Sequence, residues 1–150
     1  MTSPLASQLL LAALALAKDG FRVFPCIPRT KDPLTAHGFH DATCDEAQIR
    51  AWWRKWPRAN IGLRPGPKYL VLDIDGPEGE QTARELGIAE LDTVQVLTGR
   101  GRHLYFLHPG GEIGNAALGP NIDVRADKGY VMAPPSVHPD GRIYAWLGEL

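Results

Sequence analysis

The sequence predicts a single mixed α/β (α+β) domain, and three observations predict it. Two stretches in the first third carry apolar residues at helical spacing, and from residue 69 onward short β-type runs alternate with glycine-bearing turns. A chain of 150 residues, 44% of them apolar, is long enough to bury one core. Sixteen Lys plus Arg against seventeen Asp plus Glu leave a formal net charge of -1. The field of the whole molecule therefore cannot draw it to a polyanion, and any nucleic-acid binding must be local. The charge is uneven in a way that permits this. From Arg50 to Lys68 there are six basic residues and no acidic one, while Glu78, Glu80, Glu85, Glu90 and Asp92 follow with only Arg84 among them.

Taken in order, the apolar run Leu9 to Ala17 is the first element. No Lys or Arg precedes it, and it falls far short of the roughly 20 residues that span a bilayer. It reads as a buried helix closed by a glycine cap at Gly20 rather than as an export signal or membrane span. Phe21 to Ile27 reads as a strand, and Pro28 to His40 as a loop. Thr43 and Glu46 have the form of a capping box ahead of Ile49, Trp52, Trp53 and Trp56, which place one apolar face on a helix that Pro57 ends. That spacing makes the tryptophans core residues before it makes them a stacking platform for bases, with Arg50, Arg54 and Lys55 toward the outer face. Two cysteines, Cys26 and Cys44, are too few for a disulfide framework, and a reducing cytoplasm is the expected setting. A zinc site from Cys26, His37, His40 and Cys44 fits no standard finger spacing.

Tyr69 to Ile74 is a strand that runs into Asp73, Ile74, Asp75 and Gly76, and a short acidic helix follows over Glu78 to Leu86. Thr93 to Leu97 and His103 to Leu107 flank the turn Thr98, Gly99, Arg100, Gly101, Arg102 as a hairpin. Ile122 to Arg125 and Tyr130 to Ala133 are expected to pair around Asp127, Lys128 and Gly129. Pro134 and Pro135 break the ladder, and a last hairpin turns at Pro139, Asp140 and Gly141 before returning through Ile143 to Trp146. His108 is expected to be a solvated strand-end residue.

Three constellations carry chemistry. Asp73 and Asp75, two apart on a strand, project from one face about 6.6 Å apart along the backbone. Ionised, they repel by roughly 2 kcal/mol at an effective dielectric of 20, a cost that a divalent cation reverses. A solvated strand end, with Gly76 and Pro77 forming the turn, is the bland alternative. The turn of Gly99, Arg100, Gly101, Arg102 and His103 offers close backbone approach and donors for anionic oxygens, although a hairpin turn needs no ligand. Asp123 and Arg125 place an acid and a base on one strand face, either beside a metal and a phosphate or as a plain surface ion pair.

The ordered set resembles the N-terminal primase-polymerase domain of the bifunctional DNA primase/polymerase family, a branch of the archaeo-eukaryotic primase superfamily. The likeness runs through Gly20, Phe21, Val23, Phe24 and Pro25, Lys31 with Pro33, Trp52, Trp53, Trp56 and Pro57, Asn60 to Gly62, and Val71 to Asp75. It continues through Thr98, Gly99, Gly101 and His103 to Phe106, Ile122 to Arg125, Gly129 to Val131, Ala133 to Ser136, His138, Gly141, Tyr144 and Trp146. The resemblance implies an archaeo-eukaryotic primase-like catalytic core with an RRM-like antiparallel sheet, preceded by an N-terminal α/β unit. It implies a nucleotidyltransferase using two Mg2+ or Mn2+ ions held by Asp73, Asp75 and Asp123, with His103 on the phosphates of the incoming dNTP or NTP. Lys31, Arg125, Ser136 and His138 fall in segments assigned to nucleotide or template contact. The partners implied are a DNA template and primer and a helicase in cis or in trans, with strand contact along Arg50 to Lys68 and the loop arginines. Family members usually continue into a helical priming segment or a helicase, so the chain is expected to be part of a longer protein, with primer initiation left open.

Two other readings stand beside this one. Val71 to Gly76 also resembles the first motif of haloacid-dehalogenase-type phosphatases, but Pro77 replaces the expected Thr and no later paired-acid motif follows. A non-catalytic nucleotide- or nucleic-acid-binding module is the second alternative.

Overall fold

The computed structural model describes residues 4–113 and 116–148. In chain order its elements are α1 (Pro4–Lys18), β1 (Arg22–Cys26), a 3-10 turn (Gly38–Asp41), α2 (Glu46–Lys55), β2 (Asn60–Arg64), β3 (Tyr69–Asp75), α3 (Gly76–Glu85), β4 (Gln95–Leu97), β5 (Gly101–Leu107), β6 (Ala116–Gly119), β7 (Ile122–Arg125), β8 (Val131–Ala133) and β9 (Ala145–Leu147). The strands form two sheets in which every pairing is antiparallel: three strands in the order β1-β2-β8, and six in the order β6-β7-β3-β5-β4-β9.

Helix α1 buries Leu9, Ala13 and Leu16 on one face and ends where the glycine predicts. Gly20 takes φ +93°, its N–H donates to Ala17 O at 3.0 Å, and Phe21 N–H donates to Leu16 O at 3.0 Å. These are the two bonds of a Schellman cap, completed by Leu16 and Phe21 meeting in the core. Helix α2 buries Ile49 and Trp53, whose indole N–H donates to Ala59 O at 3.0 Å. Trp52 and Trp56 are only half-buried against the same core, so the tryptophan face is narrower than its spacing predicts. The expected capping box is absent. Thr43 is bound on both backbone atoms to Val23 at 3.0 Å, which extends the edge of β1 and delays the helix; Asp45 becomes the N-cap, and Thr43 Oγ1 accepts the Asp45 N–H.

The two helices pack with the three-stranded sheet around Phe21, Phe24, Ile49, Ile61 and Leu63, all fully or nearly fully buried. This is the expected N-terminal α/β unit. Val71, Val96, Tyr105 and Tyr144 from the six-stranded side complete that core. The opposite face of the large sheet carries Leu72, Ile74, Leu104 and Ile122, which pack with Ala83 of α3 into a second, smaller cluster. One face of the large sheet is thus covered by a helix and the other, over part of its length, by the front unit.

Several expectations are corrected. β7 and β8 do not pair with each other. The backbone at the supposed turn is held elsewhere, since Asp127 N–H donates to Ile113 O at 3.1 Å and Arg64 donates two bonds to Asp127 O, so β7 joins β3 while β8 crosses to β2. β2 and β6 lie in stretches that the sequence reading leaves unassigned. The Pro139–Gly141 turn closes only a single bridge, Val137 to Ile143, after which β9 pairs with β4. His108 is not solvated: its side chain is buried, with Nε2 2.9 Å from Asp127 Oδ2 and Nδ1 accepting Gly110 N–H.

Candidate functional site

β3 lies between β5 and β7, and Val71 to Ile74 have a neighbour on each side. Asp73 is in register with His103 of β5 on one side and with Asp123 of β7 on the other. Asp75, two residues on, shares that face and ends the strand opposite Gly101. The end of the strand is pinned twice, by Asp75 N–H to Asn121 O and by Gly76 N–H to Arg100 O, both at 2.9 Å. Asp75 is also the N-cap residue of α3 but makes no side-chain capping bond, so its carboxylate is not committed to the helix. Leu70, Leu72 and Ile74 face the other way, into the α3 cluster, whereas Val71 shares the acids' face and packs toward the front unit.

Each acid has a basic neighbour. His103 Nε2 is 3.4 Å from Asp73 Oδ1, Arg100 Nε is 3.5 Å from Asp75 Oδ1, and Arg125 Nη2 is 3.3 Å from Asp123 Oδ2. The Arg100 pair is mostly exposed and contributes little to stability. The Asp73 environment is different. Burial alone would raise its pKa, but the hydrogen bond and charge of His103 and the charges of Lys31 and Arg125 outweigh it and hold the carboxyl below its ordinary value. His103 is 4% exposed, and its Nδ1 has no hydrogen-bond partner among the described residues. Its ring lies 6.1 Å from Tyr144, which lies 5.8 Å from His138. The Tyr105 hydroxyl beneath is buried and likewise unpartnered; burial first, and the Asp73 charge second, push its pKa up.

Asp73 and His103 open onto a cavity of about 280 Å³ at the junction of the two sheets. Lys31 enters it from the front unit, Arg125 and Lys128 from β7 and the segment beyond, and Phe39, Tyr130 and Tyr144 supply aromatic surface. Of the residues singled out from the sequence, the structure gathers Lys31, Asp73, His103 and Arg125 here, with Asp75 and Asp123 alongside on the same face. Lys128, Tyr130, Tyr144 and Phe39 were not singled out as site residues, although the first two follow Arg125 closely.

Other candidates lie elsewhere. Arg102 is in register with Ile74 on the α3 side, where it donates to both oxygens of Glu80 at 2.8 and 3.0 Å. Ser136 is fully buried, and its Oγ accepts Ile61 N–H at 2.7 Å, a tie between segments rather than a surface for ligand. The two glycines of the turn serve close packing of protein on protein. A Cβ at Gly99 would lie 2.5 Å from the His138 ring, and one at Gly101 would lie 1.9 Å from Ile74 O. His138 is held by its own turn, with Nδ1 3.0 Å from Asp140 Oδ1. In the basic run, Arg64 and Lys68 donate to the backbone of Asp127 and Asp19, and Arg50 pairs with Glu46 at 2.9 Å, so Arg54, Lys55 and Arg58 remain as its outward charges.

Three aspartates offer hard oxygen donors, the chemistry suited to Mg2+ or Mn2+. Direct cross-strand opposition of Asp73 and Asp123 places two carboxylates where like charges destabilise a sheet unless a cation intervenes. Their residue types and their shared face therefore fit divalent ions. Among the described residues, however, no group of three His, Cys, Asp or Glu side chains is close enough to hold one, and each acid instead lies beside a basic side chain. Nor do Cys26, His37, His40 and Cys44 form a zinc cluster among the described residues, and burial, with the Asp32 charge, pushes the Cys26 thiol up to about 12. No helix among the described residues is long and apolar enough to cross a membrane.

Fold and site together define a mixed α/β domain whose larger antiparallel sheet presents an acidic face beside a cation-lined cavity. The model of the bifunctional DNA primase/polymerase N-terminal domain matches residues 13–150, and the chain belongs to that family. Membership implies primase/polymerase, hence nucleotidyltransferase, activity with DNA and nucleotides as substrates. No curated protein matches the chain.

Proposed function

We propose that this domain extends a nucleic-acid 3′ end on a DNA template by two-metal nucleotidyl transfer from dNTP or NTP in the replication of a plasmid, phage or mobile element. The observation that carries the reading is the register of β3: Asp73 stands between Asp123 and His103, with Asp75 on the same face, at the mouth of a cavity lined by three cations. Asp73, Asp75 and Asp123 would hold the divalent ions, whose chemistry is to polarise phosphoryl oxygens and promote ionisation of the attacking hydroxyl. Lys31, Arg125 and Lys128 balance the charge of a triphosphate, which the acidic face alone would repel. His103, buried beside Asp73, sets its Nε2 3.4 Å from Asp73 Oδ1 and helps keep that carboxyl ionised. The aromatic wall of Phe39, Tyr130 and Tyr144 limits water access on the other side.

Extension of a labelled primer, supplied with deoxy- or ribonucleotides and with magnesium or manganese, tests the reading. Wild type is expected to extend, and Asp73→Ala/Asp75→Ala to lose at least about a thousandfold in rate, the scale of removing a charge-stabilising group at a reacting centre. Equal extension by both proteins refutes it. A second reading, a nucleotide- or nucleic-acid-binding module without catalysis, is favoured by the basic neighbour of each acid. It predicts binding without extension in the wild type.

A further inference from the structure

Lys31 is the positive charge that the front unit brings to the cavity. It lies on the loop after β1, an exposed segment that folds back on itself through Ile27 N–H to Asp32 O at 2.8 Å and Thr30 N–H to Ile27 O at 3.0 Å. Two bonds tie this loop to distant chain. Asn60 Nδ2 donates to Thr30 O at 3.0 Å, and the Tyr130 hydroxyl donates to Lys31 O at 2.7 Å. The second bond spans 99 residues and reaches the backbone of the lysine itself. Tyr130 can serve as a fixed post because its ring is clamped, edge-on to the fully buried Phe24 at 5.1 Å and 79°, and within 6.1 Å of Phe39.

Its position in the chain gives the bond meaning. Tyr130 follows Asp123 and Arg125 by a few residues and directly precedes β8, which joins the front sheet. One hydroxyl therefore connects the strand that carries an acid and an arginine of the site to the loop that carries the lysine. The other two cavity cations have carboxylate partners, Arg125 with Asp123 and Lys128 with Glu112 at 3.0 Å, whereas Lys31 has no ion pair among the described residues. Its charge lowers the Asp73 carboxyl from a distance but is not committed to a salt bridge.

We infer that Tyr130 is a positioning residue for the incoming nucleotide, its hydroxyl holding the Lys31 loop so that the lysine meets the triphosphate beside Asp73. The inference rests on the proposed function in taking that cavity as the nucleotide site. It separates the hydroxyl from the ring: the ring packs the junction and the hydroxyl sets the lysine. Tyr130→Phe keeps the first and removes the second.

The test is equilibrium titration of deoxyadenosine triphosphate with magnesium chloride into the full chain, read by calorimetry, for wild type, Tyr130→Phe, Lys31→Met and the double variant. Tyr130→Phe is expected to weaken binding about three- to tenfold, the scale of one lost neutral hydrogen bond, and Lys31→Met by more. In the Lys31→Met background the same change is expected to add nothing. In primer extension, Tyr130→Phe should raise KM by a similar factor with kcat within about twofold. Unchanged affinity in Tyr130→Phe overturns the inference, as does an equal loss in both backgrounds or a Lys31→Met protein that binds like wild type. A drop in melting temperature alone, without a change in affinity, assigns the hydroxyl to stability and also overturns it. A wild type that binds the nucleotide but fails to extend a primer sinks the proposed function while leaving this inference standing. A wild type that binds neither deoxyadenosine triphosphate nor adenosine triphosphate sinks both.

Discussion

At the scale of single residues, the strongest constraints come from atoms that leave no room. Gly101 faces Asp75 across β3 and β5, and a Cβ there would meet Ile74 O at 1.9 Å, a backbone atom that no rotamer change can move. Gly101→Ala should therefore cost at least about 1–3 kcal/mol, the usual range for overpacking, and denaturant unfolding checks it. Loss of stability below 0.5 kcal/mol would mean that the strand end is looser than its two pinning bonds indicate. Asp127 supplies a prediction in pH. Burial pushes its pKa up, but the hydrogen bonds from His108 and the Ile113 N–H, with the charges of His108 and Arg64, more than reverse this and leave it depressed. A depressed folded pKa gives stability that is full above the unfolded value of about 3.9 and is lost as pH falls through the folded value. The melting-temperature gap between wild type and Asp127→Asn is expected to be widest above about pH 5 and to close toward pH 2; a constant gap would remove the charge from the explanation.

At the scale of elements, what could be read in the sequence depended on whether local pattern or distant pairing decides the outcome. α1, α2 and β3 were legible because helical spacing, a glycine cap and a continuous apolar run are local signals, and the structure honours them at Leu16, Gly20, Trp53 and Val71. β6 was not legible, because Ala116 to Gly119 has no β-branched residue, and its strand exists only because β7 offers a ladder. The pairing of β7 with β8 was misread for the opposite reason: Asp127, Lys128 and Gly129 resemble a tight turn, yet the backbone there is claimed by Arg64 and Ile113 from elsewhere. The tryptophans of α2 allow a test of the same distinction. Trp53 is 3% exposed with a bonded indole, whereas Trp52 is half-buried, so Trp53→Ala should cost about 3–5 kcal/mol and Trp52→Ala clearly less. Equal losses in denaturant unfolding would show that the helix packs as the full apolar face read from the spacing.

At the scale of the whole molecule, the Asp73 and Asp75 pair was legible from spacing, and Asp123, Lys31 and His103 from the ordered family resemblance, but their meeting at one cavity with Tyr130 was not, since these residues come together only through the junction of two sheets. The same limit applies to strand binding. A net charge of -1 gives no general attraction to DNA, and folding ties down three of the six basic residues of the 50–68 run: Arg50 by Glu46, Arg64 by Asp127 O and Lys68 by Asp19 O. Arg54, Lys55 and Arg58, exposed together around the end of α2, are the cluster left to face phosphates, with Lys55 also lying 4.6 Å above the Trp56 ring. Each phosphate contact releases counterions, contributing about 0.7 to the slope of log K against log salt on a single strand. Replacing all three by Ala should therefore flatten that slope by about 2 and weaken binding at low salt, while acid and lysine changes in the cavity leave the slope near its wild-type value. Fluorescence anisotropy of a labelled single strand across a salt series measures it. An unchanged slope would move the strand path off α2 and onto the cations around the cavity, where nucleotide and template would then compete for the same charges.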